Sequence, residues 1–298
     1  MNALQNVELN ILKHFIEICD KMNLTYYLVC GSALGAAKYK GFIPWDDDID
    51  VGMPRKDYEI FCKEAQNCLI DWLFLQTSIS DRNYPNIYAK LRDIRTTYIE
   101  KTDCDIVMNH GIYIDIFPLD GYPKRELLQK WVEHKKSLFI KKELCVFRMN
   151  LSKKQKTAAK IEKILGYDKK PSRHANKLTK SISRFSIEES KYICNHGNWQ
   201  GKLEYAPKEQ YGKGTWATFE GLKVRIPEMY DEYLTQKYGD WRADLPVEQQ
   251  VGHHYAEVID LTRPYTDYII KLKNGKIRLK TSAELLKDGI TPPENYQY

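Results

Sequence analysis

The chain has 298 residues, 43% hydrophobic and 29% charged, with a formal net charge of +6. That is ordinary for a soluble globular protein and allows one large domain or two modest ones. No apolar run approaches the roughly 20 residues of a membrane-spanning helix, and the N-terminus lacks a signal peptide's uninterrupted apolar stretch, so a cytoplasmic protein is expected. The seven cysteines are scattered and never spaced as C-x-x-C, which argues against a disulfide framework or a zinc knuckle.

From Asn2 to Met22, apolar residues including Leu4, Ile11, Leu12, Phe15, Ile18 and Cys19 recur at helical spacing and predict an amphipathic helix. Tyr26 to Cys30 reads as a buried strand that ends in Gly31-Ser32 and gives way to a helical segment over Ala33 to Tyr39. Strand, Gly-Ser, helix suits a phosphate, because glycine permits close backbone approach and a helix start presents free N–H groups.

Asp46-Asp47-Asp48-Ile49-Asp50-Val51 follows. Four carboxylates this close repel one another unless a cation sits against them. Period-two alternation on a strand would put Asp48 and Asp50 on one face, with Cα atoms roughly 6.5–7 Å apart, and Ile49 and Val51 on the core side. Asp47 would face away and Asp46 would lie in the approach loop. Hard oxygen ligands without nearby Cys or His favour magnesium or manganese. Taken alone, the same residues also fit a solvated acidic turn.

Pro54 sits well at a helix start, with Tyr58, Phe61, Cys62 and Ala65 as the buried face. Trp72 to Gln76 and Ile87 to Asp93 read as strands, the second with Tyr88, Lys90 and Arg92 on one face. That face is either solvated or a contact for phosphates. In the strand around Ile112 to Leu119, Asp115 is surrounded by apolar residues and needs a partner to offset its desolvation. Asp120, before Gly121, reads as a turn residue.

From Lys124 to Lys191 there are about 20 Lys and Arg against about 7 Asp and Glu, which points to amphipathic helices with a basic face. Such a face is solvated, or meets an anionic membrane surface or lipid-linked glycan. Beyond it, Glu220-Gly221 marks a β-hairpin turn, Pro227 to Gly239 a helix, and Asn274-Gly275 a second hairpin. Trp199, Tyr205, Trp216 and Trp241 are available to recognise a quaternary ammonium, and His253 or His254 to act as a general base.

Gly31-Ser32 followed by Asp48-Ile49-Asp50-Val51 resembles the nucleotidyltransferase superfold. The fuller string, with Lys40-Gly41-Phe42-Ile43-Pro44-Trp45, Met53-Pro54-Arg55 and Asp57-Tyr58, resembles the LicD family of phosphorylcholine transferases and related enzymes of bacterial surface glycans, to which fukutin-type enzymes are distant relatives. The resemblance implies an α+β protein: a mixed-sheet core over residues 1–122, a basic helical insertion over 123–200, and a part over 201–298 that completes the substrate cleft. It implies that Asp48, Asp50 and Asp115 are catalytic and hold Mg²⁺ or Mn²⁺, and that Gly31, Ser32, Lys90 and Arg92 bind the nucleotide. The expected reaction moves phosphorylcholine from a CDP-linked donor to a sugar hydroxyl of a glycan or lipid-linked glycan acceptor such as a teichoic acid precursor, at the inner membrane face or in the cytoplasm. Transfer of glycerol phosphate, ribitol phosphate, aminoethylphosphonate or a nucleotide is the alternative within enzymes. Nucleic-acid binding is disfavoured, since the basic segment carries no recognition motif or aromatic stacking array.

Overall fold

Asn2 opens the first helix, α1 (Ala3–Met22). Its side chain accepts the Gln5 N–H at 2.8 Å and the Gln5 side chain accepts the Asn2 N–H at 2.9 Å, a reciprocal cap for two of the helix's orphan donors. The predicted apolar stripe of α1 is buried, and each such side chain contributes roughly 1.5–3 kcal/mol by leaving water. In this computed structural model the described residues are 1–101, 103, 106–147, 156–157, 160–161, 164, 171–198, 201–252, 256–272, 274 and 277–290. Trp199, His253 and His254 lie outside them.

The chain continues through β1 (Tyr27–Leu28), α2 (Cys30–Leu34), β2 (Asp50–Pro54), α3 (Arg55–Glu64), β3 (Leu73–Gln76), β4 (Ala89–Asp93), β5 (Thr97–Glu100) and β6 (Ile112–Tyr122). The main sheet runs β1-β2-β6-β4-β3, with β2 and β6 parallel and the other neighbours antiparallel. This is the mixed sheet of an α+β protein. α1 packs on β6 and β4, and α3 on β2 and β6. All eleven residues of β6 are buried, as befits a central strand covered on both faces.

The length of β6 corrects one expectation. Asp120 is no turn residue: the strand runs on to Tyr122, and Asp120, fully buried, accepts two hydrogen bonds of 2.7 Å from Arg55. A buried carboxylate needs such a bidentate cation to offset its lost hydration. Two other boundaries also shift. The strand after the acidic run starts at Asp50, so Asp48 precedes it. The segment expected to be a helix from Ala33 becomes α2 followed by a π-helical turn over Gly35–Tyr39.

In the basic segment, α4 (Glu126–Phe147) and α5 (Pro171–Ile182) bury Val132, Phe139, Ala175, Leu178 and Ile182 with Ile87, Tyr122 and Cys194, a core of their own. The sheet resumes before residue 200: β7 (Tyr192–Asn195) pairs with the last residues of β6, and β8 (Tyr205–Pro207) pairs with β7. Then come the hairpin β9 (Thr215–Phe219) and β10 (Leu222–Ile226), α6 (Tyr230–Tyr238), β11 (Ala256–Asp260) against β5, and the pair β12 (Ile269–Lys271) and β13 (Ile277–Leu279). Among the described residues no helix is long and apolar enough to cross a membrane, and Cys19, Cys30, Cys62, Cys68 and Cys194 are free thiols.

His110 gives the fold a pH dependence. It is buried and its Nε2 lies 2.8 Å from the Ile106 carbonyl. Burial, with help from the Arg92 charge, lowers its pKa to about 4. An unfolded histidine protonates near pH 6.5, so between there and about pH 4 the unfolded chain holds the extra proton and stability falls as pH falls, by up to about 3 kcal/mol. A His110→Gln variant should therefore lose less stability than the wild type between pH 7 and pH 4 in denaturant titrations; parallel curves would remove His110 as the cause.

Candidate active site

Backbone hydrogen bonds fix the acidic loop first. Val29 N–H donates to Asp50 O at 3.0 Å, Asp115 N–H to Ile49 O at 2.8 Å, and Asp46 N–H to Ile43 O at 2.9 Å. The Gln5 amide, from α1, donates to Asp46 O at 2.9 Å. So held, Asp46, Asp47 and Asp48 bring one carboxylate oxygen each to within 4.8 Å of one another, and Asp46 and Asp47 are buried. Burial pushes the Asp46 carboxyl well up, and the charges of Asp48 and Asp47 push it further. Hard oxygens crowded at this cost in repulsion are a fitting donor set for a divalent magnesium-like ion. Gly31 leaves room for them, because a Cβ there would stand 2.7 Å from Asp46 Oδ2 and displace that carboxylate.

The sheet register supplies the second row. Asp50 on β2 pairs with Asp115 on β6, and Asp115 pairs with Lys90 on β4. The Lys90 ammonium lies 3.0 Å from Asp115 and 3.7 Å from Glu100, and 3.2 Å from the centre of the Tyr113 ring. Tyr113 in turn donates its hydroxyl to Glu100 at 2.7 Å. A charged lysine with only 3% of its side chain exposed is thus compensated on three sides.

These rows line a cavity of about 530 Å³. Of the residues singled out from sequence, Asp48, Asp50, Asp115, Gly31 and Lys90 line it. Ser32 and Arg92 do not. The Ser32 hydroxyl accepts the Asp50 N–H at 2.8 Å and so sets the start of β2. Arg92, 1% exposed, donates to the Gln76 side chain and, at 2.6 Å, to Gly111 O, so it ties β4 to its neighbours. Among the described residues, the three carboxylates that close to within 4.8 Å are Asp46, Asp47 and Asp48, and not the trio Asp48, Asp50 and Asp115.

Sequence reasoning left Asp46 in an approach loop and missed Glu100 altogether. Both line the cavity. Asp46 carried a signal in its position beside Asp47 and Asp48, whereas nothing marks Glu100 until β5 is seen beside the site. Of the aromatic residues named from sequence for a quaternary ammonium, Trp241 alone among the described ones reaches the cavity. Trp241 lines the cavity with Tyr39, Trp45, Tyr88, Phe117 and Tyr238, but Trp216 is 51% exposed on the β9–β10 hairpin and Tyr205 stacks on Tyr122 with ring centres 4.2 Å apart. Tyr39 and Trp45 meet edge to face, 6.3 Å apart and 77° inclined.

The "LicD/FKTN/FKRP, nucleotidyltransferase domain" family matches residues 23–161. The lipopolysaccharide cholinephosphotransferase LicD of Haemophilus influenzae is 31% identical over 265 residues, 85% of this chain and 95% of that protein. An uncharacterised Rickettsia prowazekii protein is 33% identical over 38% of this chain and 39% of its own length. The ribitol 5-phosphate transferase FKRP of Mus musculus is 25% identical over 42% of this chain and 23% of its own. A likeness that runs nearly end to end through one of these relatives, and that includes the acidic loop and the strand of Asp115, places the chain in the LicD family as a phosphotransferase.

Proposed function

We propose that the cavity transfers phosphorylcholine from a CDP-linked donor to a sugar hydroxyl of a cell-surface glycan of the lipopolysaccharide or teichoic acid kind. The observation that carries this reading is the composition of the cavity wall: carboxylates, the two lysines Lys38 and Lys90, and six aromatic rings. Quaternary ammonium groups bind to aromatic faces, and Tyr39 and Trp45 make a corner of two such faces. The Lys38 ammonium stands 5.3 Å from the Tyr39 ring centre, where Asp244 and the Ala243 carbonyl hold it. The Haemophilus relative's name as a cholinephosphotransferase supports the same head group.

Asp46 and Asp48, with Asp50 and Asp115 on the adjacent strands, would hold Mg²⁺ or Mn²⁺, which when bound offsets the charge of the donor phosphates. Lys90 presents its ammonium to the same space, paired with Asp115 and Glu100. The rings seat the head group and exclude water from the phosphorus, and the glycan hydroxyl enters from the open side. Transfer of ribitol phosphate is the second reading, favoured by the FKRP likeness; a neutral polyol, however, makes no use of the aromatic corner.

Thermal shifts with Mg²⁺ or Mn²⁺ and CDP-choline, CDP-glycerol or CDP-ribitol test the donor, since a ligand that binds only the folded state raises its melting temperature. A metal-dependent shift largest for CDP-choline is expected, and an equal response to all three would overturn the choline assignment. Tyr39→Leu should raise the KM for CDP-choline roughly threefold to thirtyfold, the equivalent of one cation–π contact, and leave kcat near the wild-type value.

A further inference from the structure

The β9–β10 hairpin turns at Glu220 and Gly221, with φ of 47° and 79°. Two-residue turns of this hand need left-handed backbone at both central positions, where Gly, Asn and Asp are the usual residues. Glutamate is a poor choice for such a backbone, so the reason for it lies in what its side chain touches.

It touches the corner that leads into the acidic loop. The Glu220 N–H donates to Lys40 O at 2.9 Å, and Glu220 Oε1 accepts the Phe42 N–H at 3.1 Å. Phe219, the residue before, packs its ring on Phe42 with centres 4.9 Å apart. Between the two hydrogen bonds stands Gly41, where a Cβ would collide with the Glu220 carboxylate. Lys40 itself has φ 56° and ends the π-helical turn, so the chain reverses here. From Phe42 the path to the carboxylates is short: Ile43 O accepts the Asp46 N–H, closing the turn that presents Asp46, Asp47 and Asp48.

We infer that Glu220 is a positioning residue for the acidic loop, its side chain and backbone gripping Lys40 and Phe42 so that the turn into Asp46 starts from a fixed point. The inference is independent of which group the enzyme transfers. It explains both exceptions at once: a glutamate where the backbone favours glycine, and a glycine at 41 where the carboxylate must fit.

Hydrogen exchange on the metal-free protein tests it. Glu220→Gly relieves the positive φ and removes the carboxylate, so the variant should melt no lower than the wild type while the amides of residues 42–48 exchange at least tenfold faster. Glu220→Gln keeps an acceptor for Phe42 N–H and should restore protection. Gly41→Ala displaces the Glu220 side chain and should reproduce the loosened loop, whereas adding it to Glu220→Gly should change nothing more, the non-additivity of two residues that act through one contact. Unchanged exchange in Glu220→Gly, failure of Glu220→Gln to rescue, or additive effects in the double variant would each overturn the clamp. Electron resonance of free Mn²⁺ gives a second readout, an affinity about tenfold weaker in Glu220→Gly. If the wild type ignores Mn²⁺, that result counts against the metal, and the exchange arm still decides the role of Glu220.

Discussion

Asp48→Asn should abolish transfer, by roughly a thousandfold or more, and at the same time raise the melting temperature of the metal-free protein. The two effects share one cause. Asp46, Asp47 and Asp48 converge within 4.8 Å, and burial plus the charges of its neighbours already push the Asp46 carboxyl up. Removing one negative charge relieves that repulsion, and it also removes a ligand from the proposed ion. Turnover and a melting curve on the same preparation check both halves. Wild-type turnover in the folded variant would take Asp48 out of the chemistry, and a lower melting temperature would show that its carboxylate stabilises the loop more than repulsion weakens it.

Lys90→Met should destabilise the protein by about 3–5 kcal/mol, the usual cost of stripping one partner from a buried ion pair. Asp115 has 6% of its side chain exposed and Glu100 19%, and both rely on the Lys90 ammonium. Asp115→Asn alone leaves Lys90 with Glu100 and the Tyr113 ring, so its cost should be smaller. Combining the two should restore part of the loss, because the buried Asp115 charge is gone and only Glu100, less buried and still hydrogen-bonded to Tyr113, is left without the ammonium. Denaturant unfolding of the four proteins gives the cycle, and strictly additive values would mean that Lys90 and Asp115 are not coupled. Activity lost in Asp115 variants therefore has two components, structural and chemical, where loss in Asp48→Asn has one.

The sequence made the β2, β4 and β6 strands legible because each carries dense apolar alternation, and α1 because its stripe has one clear period. Of the residues it pointed to, Asp50 and Lys90 reach the cavity from strands, where alternate residues share a face, while Asp48 reaches it from the loop before β2 and Gly31 from α2. What it could not give is register. That Asp50, Asp115 and Lys90 fall in one row across three strands depends on how β2, β6 and β4 slide against one another. Arg92 shows the limit of reasoning by type: on the same strand as Lys90 and equally basic, it ends among Gln76, Gly111 and Tyr113, away from the cavity. Asp120 was misread because Asp-Gly normally turns the chain, and the pull of Arg55 and of β7 pairing outweighs that preference here. Of the rings read from sequence Trp241 lines the cavity and Tyr205 and Trp216 do not, since aromatic residues pack wherever space allows and only the folded chain separates Trp45 from Trp216.

The basic segment leaves the sheet after Tyr122 and returns to it at Tyr192, and these two residues face each other in the β6–β7 register. Its two ends are therefore neighbours, so the excursion is topologically a long hairpin loop. A piece whose ends already touch can be lengthened, shortened or exchanged without altering the path of the chain through Asp115, which pairs at the other end of β6. In this architecture residues 123–191 can vary in length and content while Asp50, Asp115 and Lys90 keep their shared row.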